Sequence, residues 1–351
     1  MTMRIRNECT KLALIALLLP TVASAQQSAG CSAEPAKSGM FTMTHGDALR
    51  NVEVRLPAGY DGRHPQRLVI AFHAWTGGER EFVGEPTVVA ESSKRGYILV
   101  APRGLGAGPP DNKWNGWAFR GSTSGVIDDG KQQLPVCDPA HMPDYSYPSC
   151  HAKGIAVNTC GWSHCQDDDV GFVVDLVKRL ESTLCVDQSH VYAAGGFNGG
   201  MFAWEVGQNP RTAPMFRAIA SIIGVPHRGD LRPPGRPGPM PAILITGRAD
   251  AVVPPGEWDD PHFTTSTGNG EVGYFAGATA IVQSWSKADN CPVAGKEKPF
   301  STAYASDVDC RSYCPANGDK WPAVLDCRSP LGHVYGWPWS WKLVLDFFDR
   351  N

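Results

Sequence analysis

Apolar and polar positions fall into two alternating rhythms along this chain. Val52, Val54 and Leu56 alternate with polar neighbours, which predicts a strand with one face in water. Leu68–Phe72 and Tyr97–Ala101 are unbroken apolar runs, the pattern of strands covered on both faces. Val88, Val89 and their neighbours predict a helix between them. Val170, Val173, Val174, Val177 and Leu180 recur at helical spacing. The pattern continues as a strand at His190–Ala194, a helix from Met201, strands at Ala218–Ile223 and Ala242–Thr246, a helix near Ala278–Ala288 and a closing helix over Trp341–Phe348. Strands alternating with helices at this spacing imply crossover connections and a mostly parallel sheet, so the predicted class is α/β with helices on both faces.

Residues 103–166 break the alternation. They hold Trp114, Trp117, Trp162, Tyr145, Tyr147 and four cysteines, and read as a disulfide-pinned lid inserted into one domain spanning 26–351. Asp167, Asp168 and Asp169 precede the helix that starts near Val170. Three carboxylates could ligate a metal, but the first turn of a helix favours negative charge, which makes capping the stronger reading.

The amino terminus changes the picture of where the chain works. Arg4, Arg6 and Lys11 precede the apolar run Leu12–Leu19, and Val22-Ala23-Ser24-Ala25 ends in small residues, the pattern of a secretory signal cut after Ala25. That run is too short to span a bilayer, and no later segment reaches the ~20 apolar residues a spanning helix needs. Removing residues 1–25 takes away three basic residues and one acidic residue, leaving a net charge of −5 from 29 basic and 34 acidic residues. With no basic patch, nucleic acid and anionic membrane are not expected partners. Ten cysteines remain after cleavage, an even number that reads in an exported chain as up to five disulfides of open connectivity. The spacings Cys160/Cys165 and Cys310/Cys314 leave metal ligation as a weaker rival. No motif calls for a cofactor.

The candidate chemistry centres on Gly195-Gly196-Phe197-Asn198-Gly199, between a short apolar strand and a helix. Glycines crowded at such a join mark a strand-to-helix elbow, whose apex ordinarily carries a serine nucleophile and here carries Phe197. Acyl transfer needs a nucleophile, an imidazole, a carboxylate to orient it and donors for the oxyanion, and in an α/β-hydrolase fold they follow in the order nucleophile, acid, histidine. Asp250 lies just past the strand Ala242–Thr246, and His333 lies in Gly332-His333-Val334 before the last helix. Ser163, in Gly161-Trp162-Ser163-His164-Cys165, lacks a preceding strand, and Ser221 lacks the elbow glycines. Neither supplies the missing hydroxyl.

Asp168-Asp169-Val170-Gly171-Phe172, Leu184-Cys185-Val186-Asp187 and Val191–Met201 resemble the secreted feruloyl esterases and polyhydroxybutyrate depolymerases grouped as carbohydrate esterase family one. Ser28-Ala29-Gly30-Cys31, and His73 with Thr76-Gly77-Gly78, strengthen the feruloyl-esterase side. The resemblance covers most of the mature chain and implies an α/β-hydrolase fold and an ester substrate, either an acylated plant polysaccharide or a polyester. It implies Asp250 and His333 as acid and base, with Phe197 aligned on the nucleophile. The oxyanion donors would be the backbone N–H of Asn198 and one from the loop around Trp75, where the family often has glycine directly after the histidine. Trp114, Trp117 and Trp337 are candidates for contact with substrate, since flat rings line most ligand pockets. Without a hydroxyl at position 197, the alternative is a catalytically inactive protein that binds polysaccharide or aromatic esters in a retained cleft.

Overall fold

The computed structural model describes residues 26–31, 36–107, 113–143, 145, 147–154, 160–231, 239–268, 270–291, 298–301, 304, 307–314 and 321–351. The expected signal peptide lies outside them. The strands are β1 (Gly39–His45), β2 (Ala48–Arg55), β3 (Gln66–Phe72), β4 (Tyr97–Pro102), β5 (Val126–Asp128), β6 (Gln133–Pro135), β7 (Val186–Gly196), β8 (Ala218–Ile222), β9 (Ala242–Gly247), β10 (Thr264–Thr265), β11 (Tyr274–Phe275), β12 (Lys298–Phe300), β13 (Asp309–Ser312) and β14 (Val324–Ser329). The helices are α1 (Arg80–Val83), α2 (Pro86–Lys94), α3 (Pro148–Ala152), α4 (Asp169–Thr183), α5 (Asn198–Gln208), α6 (Ala278–Ala288) and α7 (Trp337–Arg350).

Ten strands form one sheet in the order β1-β2-β4-β3-β7-β8-β9-β14-β13-β12. Its centre, from β4 through β14, is parallel, and both flanks are antiparallel. A parallel centre needs helical crossovers, and these cover both faces. Leu68, Ile70 and Phe72 point to the side packed by Phe172, Leu176 and Phe202 of α4 and α5, whereas Val69 and Ala71 point to the side packed by Trp341, Leu345 and Phe348 of α7. Burial on both faces explains why β3 and β4 read as continuous apolar runs.

The α/β expectation holds, and the structure adds elements to it. Strand β1, which precedes the first strand expected from the sequence, pairs with β2 as a hairpin. Strand β14 was not expected at all, because Asp326 and Arg328 make it look like a surface segment. Both side chains are buried and pair with each other at 2.8 Å, and Arg328 also donates to Thr279 Oγ1 at 3.0 Å. The last helix starts a turn earlier, at Trp337, with Pro338 in its first turn, where the missing N–H costs nothing.

The five disulfides are Cys31–Cys185, Cys137–Cys160, Cys150–Cys165, Cys291–Cys314 and Cys310–Cys327. Neither Cys160/Cys165 nor Cys310/Cys314 is a ligand pair, since each of the four bonds elsewhere. Two disulfides lie wholly within residues 103–166 and pin that lid. The triple aspartate also resolves differently from simple capping. The Asp169 carboxylate takes Arg50 as an ion-pair partner, together with the Ala118 N–H at 2.6 Å and His164 Nε2 at 3.0 Å, and Asp168 pairs with Arg211. These bonds fasten the lid to β2 and α4. No described helix is long and apolar enough to cross a membrane.

Candidate active site

The glycines around Phe197 are required by close approach. A Cβ on Gly195 would lie 2.1 Å from the Gly199 carbonyl oxygen, one on Gly199 would lie 2.1 Å from the Phe72 carbonyl oxygen, and one on Gly196 would strike the Tyr335 ring at 2.0 Å. The turn they allow holds Phe197 at φ 47°, ψ −112°. A side chain there costs on the order of 1–3 kcal/mol, a strain typical of functional sites. It is a strained, sharp strand-to-helix turn of the geometry a nucleophile elbow requires.

Asn198 opens α5 and is fully buried. Its Oδ1 accepts from the Trp117 N–H at 2.7 Å and its Nδ2 donates to the Trp117 carbonyl at 3.1 Å. This pair of hydrogen bonds to the backbone of one residue commits the Asn198 side chain inward and leaves position 197 as the apex. As the first residue of a helix, its backbone N–H has no intrahelical acceptor.

Asp250 follows β9 and His333 follows β14, neighbours in the parallel sheet, so both emerge at the same sheet edge as the elbow after β7. His333 Nδ1 meets Asp250 Oδ2 at 2.7 Å. The other oxygen, Oδ1, accepts from the Val252 and Val253 N–H groups, each at 2.8 Å. A tautomer that donates Nδ1–H to this carboxylate has its lone pair on Nε2. The Phe197 ring packs edge-on against this imidazole, with centroids 4.7 Å apart and planes at 89°. Its opposite neighbour is Trp162, stacked at 6.3 Å with an interplanar angle of 17°.

The loop after β3 carries His73, Ala74 and Trp75. His73 is a buried framework residue: Nδ1–H donates to the Ala74 carbonyl at 2.6 Å and Nε2 accepts from the Gly104 N–H at 2.8 Å. Burial pushes its pKa down to about 4, which keeps it neutral. Thr76 N–H donates to the Asn115 carbonyl at 2.7 Å, tying the loop to the lid.

Over the elbow lies a cleft of about 590 Å³, mouth included, walled by Trp75, Tyr145, Trp162, Phe197, His227 and Phe275. One carboxylate, Glu271, lines it and accepts from Tyr145 Oη at 2.8 Å. His227 Nε2 accepts from Trp162 Nε1 at 2.9 Å, and burial lowers its pKa to about 4.

The sequence-predicted residues separate into two groups. Asp250, His333, Phe197, Asn198 and Trp75 converge on one sheet edge. Trp117 lies fully buried beneath it, with Phe72 and Phe202 at 5.0 and 5.2 Å, which is a place in the core and not in a cleft. Trp114 packs at 5.5 Å behind Tyr145, outside the cleft lining. Trp337, the first residue of α7, is partly buried and packs against Tyr335 and Phe82 at the edge of the core, outside the cleft lining. Ser163 bonds to Ser122 Oγ at 2.7 Å and Ser221 to the Gly224 carbonyl at 2.6 Å, both buried as polar links. The cleft residues Trp162, His227 and Glu271 have no local sequence signal of a site. Only Trp162 sat in a segment already marked as irregular and aromatic-rich.

Set beside known proteins, the chain matches no family model. It is 23% identical to a probable feruloyl esterase C from Aspergillus niger over 327 residues, covering 92% of this chain and 86% of that one. It is 24% identical to feruloyl esterase D from Neurospora crassa over 246 residues, 70% of this chain and 69% of that one. Among solved structures, an acetyl xylan esterase from Aspergillus awamori superposes with a TM-score of 0.54 at 14% identity, covering 89% of this chain and all of that one. The chain therefore has the α/β-hydrolase fold and is similar, along most of its length, to feruloyl esterases.

Proposed function

We propose that this is a secreted esterase-type protein that recognises carboxylic esters of plant polysaccharide, or a polyester, and in which Phe197 closes the acyl-enzyme route. One observation carries the reading: a hydrogen-bonded Asp250–His333 pair stands beside an elbow in strained nucleophile geometry, and a phenyl ring sits where a hydroxyl would be activated. The likeness to feruloyl esterases supports the ester class, and the aromatic cleft offers flat surfaces to an aromatic acyl group.

With a hydroxyl at position 197, His333 Nε2 would take its proton, Asp250 would hold the resulting imidazolium, and the N–H groups of Asn198 and Trp75 would receive the carbonyl oxygen as it becomes negative. Phenylalanine removes the first step. Loss of the nucleophile from a serine hydrolase costs about a million-fold in turnover. The ring adds a steric block next to the base. The wild-type protein on this account binds esters without forming an acyl-enzyme.

The intact acid–base pair favours a second, lesser activity, in which His333 activates water against a bound ester. Phe197→Ser distinguishes the readings. Expected is hydrolysis of p-nitrophenyl acetate and methyl ferulate by the variant at least ~100-fold above wild type. Wild type should show saturable quenching of tryptophan fluorescence by methyl ferulate without product. A folded Phe197→Ser protein inactive on both esters would overturn the esterase reading.

A further inference from the structure

Glu81 at the start of α1 lies half-buried against the loop that carries Trp75, and its Oε1 serves two donors at once. It accepts from the Ala74 N–H at 2.9 Å and from the phenol of Tyr335, two residues beyond His333. Burial raises the Glu81 carboxyl, while those two bonds pull it back, and burial with the nearby carboxylate drives the Tyr335 phenol well above its ordinary value. The loop is moulded around this side chain, since a Cβ on Gly77 would lie 2.2 Å from Glu81 Oε2. Tyr335 in turn lies directly over Gly196, the residue before Phe197, and packs on Trp337 at 4.3 Å.

Two chain segments far apart in sequence thus meet at one carboxylate oxygen, the loop expected to supply an oxyanion donor and the loop bearing the histidine, and the Tyr335 ring that joins them lies against Gly196 of the elbow. The peptide unit that carries the Trp75 N–H is held by its Ala74 carbonyl, which accepts from His73 Nδ1–H at 2.6 Å and the Gly77 N–H at 3.0 Å, so these bonds and Glu81 together set the direction of the Trp75 N–H. His333 is held by Asp250 on one side and, through Tyr335, by Glu81 on the other.

We propose that Glu81 and Tyr335 are positioning residues that lock the oxyanion loop to the histidine loop across Gly196, a role that rests on the esterase reading above. Acyl transfer is sensitive to sub-ångström placement of these donors, so uncoupling the loops lowers kcat and leaves ground-state binding in the lid cleft largely intact.

The test is made in the Phe197→Ser protein. Glu81→Leu, which keeps the volume and removes the acceptor, and Tyr335→Phe, which removes one donor, are each expected to lower kcat on p-nitrophenyl acetate by ~10–100-fold, with KM changed less than about threefold. Glu81→Gln retains an Oε1 acceptor and is expected to recover most of that loss. The same substitutions in the wild-type background are followed by NMR at the Ala74 amide proton and the His333 Nδ1 proton, a readout independent of turnover. Both resonances should shift in Glu81→Leu and in Tyr335→Phe, and return toward wild type in Glu81→Gln. If Phe197→Ser is inactive, the esterase reading fails while the NMR arm still decides the clamp. Should Glu81→Leu not fold, Tyr335→Phe carries the test. Folded variants with unchanged resonances, or a kcat loss that Glu81→Gln fails to recover, overturn the proposal.

Discussion

Arg50→Met should destabilise the protein by about 3 kcal/mol and loosen the lid from the sheet. Arg50 is buried in β2, its guanidinium ion-paired to Asp169 and lying 4.3 Å over the Phe172 ring. Breaking a buried pair by removing one partner typically costs 3–5 kcal/mol, because the other charge is left without compensation. Asp169 keeps His164 Nε2 at 3.0 Å and the Ala118 N–H at 2.6 Å, and methionine refills the stem volume, which places the cost at the low end. At roughly 2–4 °C per kcal/mol for a chain of this size, the melting temperature falls by about 6–12 °C. The pH dependence has a definite sign. Burial alone would raise Asp169, but the Arg50 charge, His164 and the Ala118 N–H together outweigh it and hold the carboxyl below its usual range. Its stabilising contribution is therefore present above the unfolded value, about pH 4, and lost as pH falls through the folded one. Arg50→Met raises the folded value, so acid unfolding begins at higher pH. Urea titrations from pH 7 to 3 measure both effects. A loss under 1 kcal/mol, with an unchanged acid limb, would refute the reasoning.

Two further outcomes follow from the site. Asp250→Asn in the Phe197→Ser protein should lower kcat by about 10³–10⁴-fold, because the imidazole loses the partner that fixes its tautomer, and steady-state kinetics on p-nitrophenyl acetate will show it. His227 should stay neutral in the folded protein until pH nears about 4, seen by ¹⁵N NMR of its ring. Because it protonates near pH 6.5 in the unfolded chain, its contribution to stability is full above that value and declines as pH falls toward 4. A titration midpoint near 6.5 in the folded state would show that the Trp162–His227 bond and its burial are misassigned.

How far the sequence revealed this molecule depended on whether a signal was local. The parallel centre was legible because strands buried on both faces carry unbroken apolar runs, as in β3 and β4. The elbow was legible because backbone crowding admits only glycine at several neighbouring positions, although the contact that excludes a side chain at Gly196 comes from Tyr335, far along the chain. Asp250 and His333 could be picked out by chain order and placement at strand ends. Strand β14 was hidden by Asp326 and Arg328, whose charges cancel within the interior. The tryptophans were misjudged in part for a similar reason: Trp117 lies deep because its Nε1–H finds the His73 carbonyl at 3.1 Å, a contact 44 residues away that no local pattern encodes. Glu81 was invisible because its role depends on Ala74 and Tyr335 arriving from opposite ends of the chain.

The central claim is that position 197 alone separates this protein from covalent ester chemistry. Intact-mass spectrometry after exposure to diethyl p-nitrophenyl phosphate tests it directly, since that reagent phosphorylates an activated hydroxyl. Wild type should remain unmodified, and Phe197→Ser should gain one diethylphosphoryl group that peptide mapping places at position 197. Stoichiometric labelling of the wild-type protein at any other residue would contradict the account.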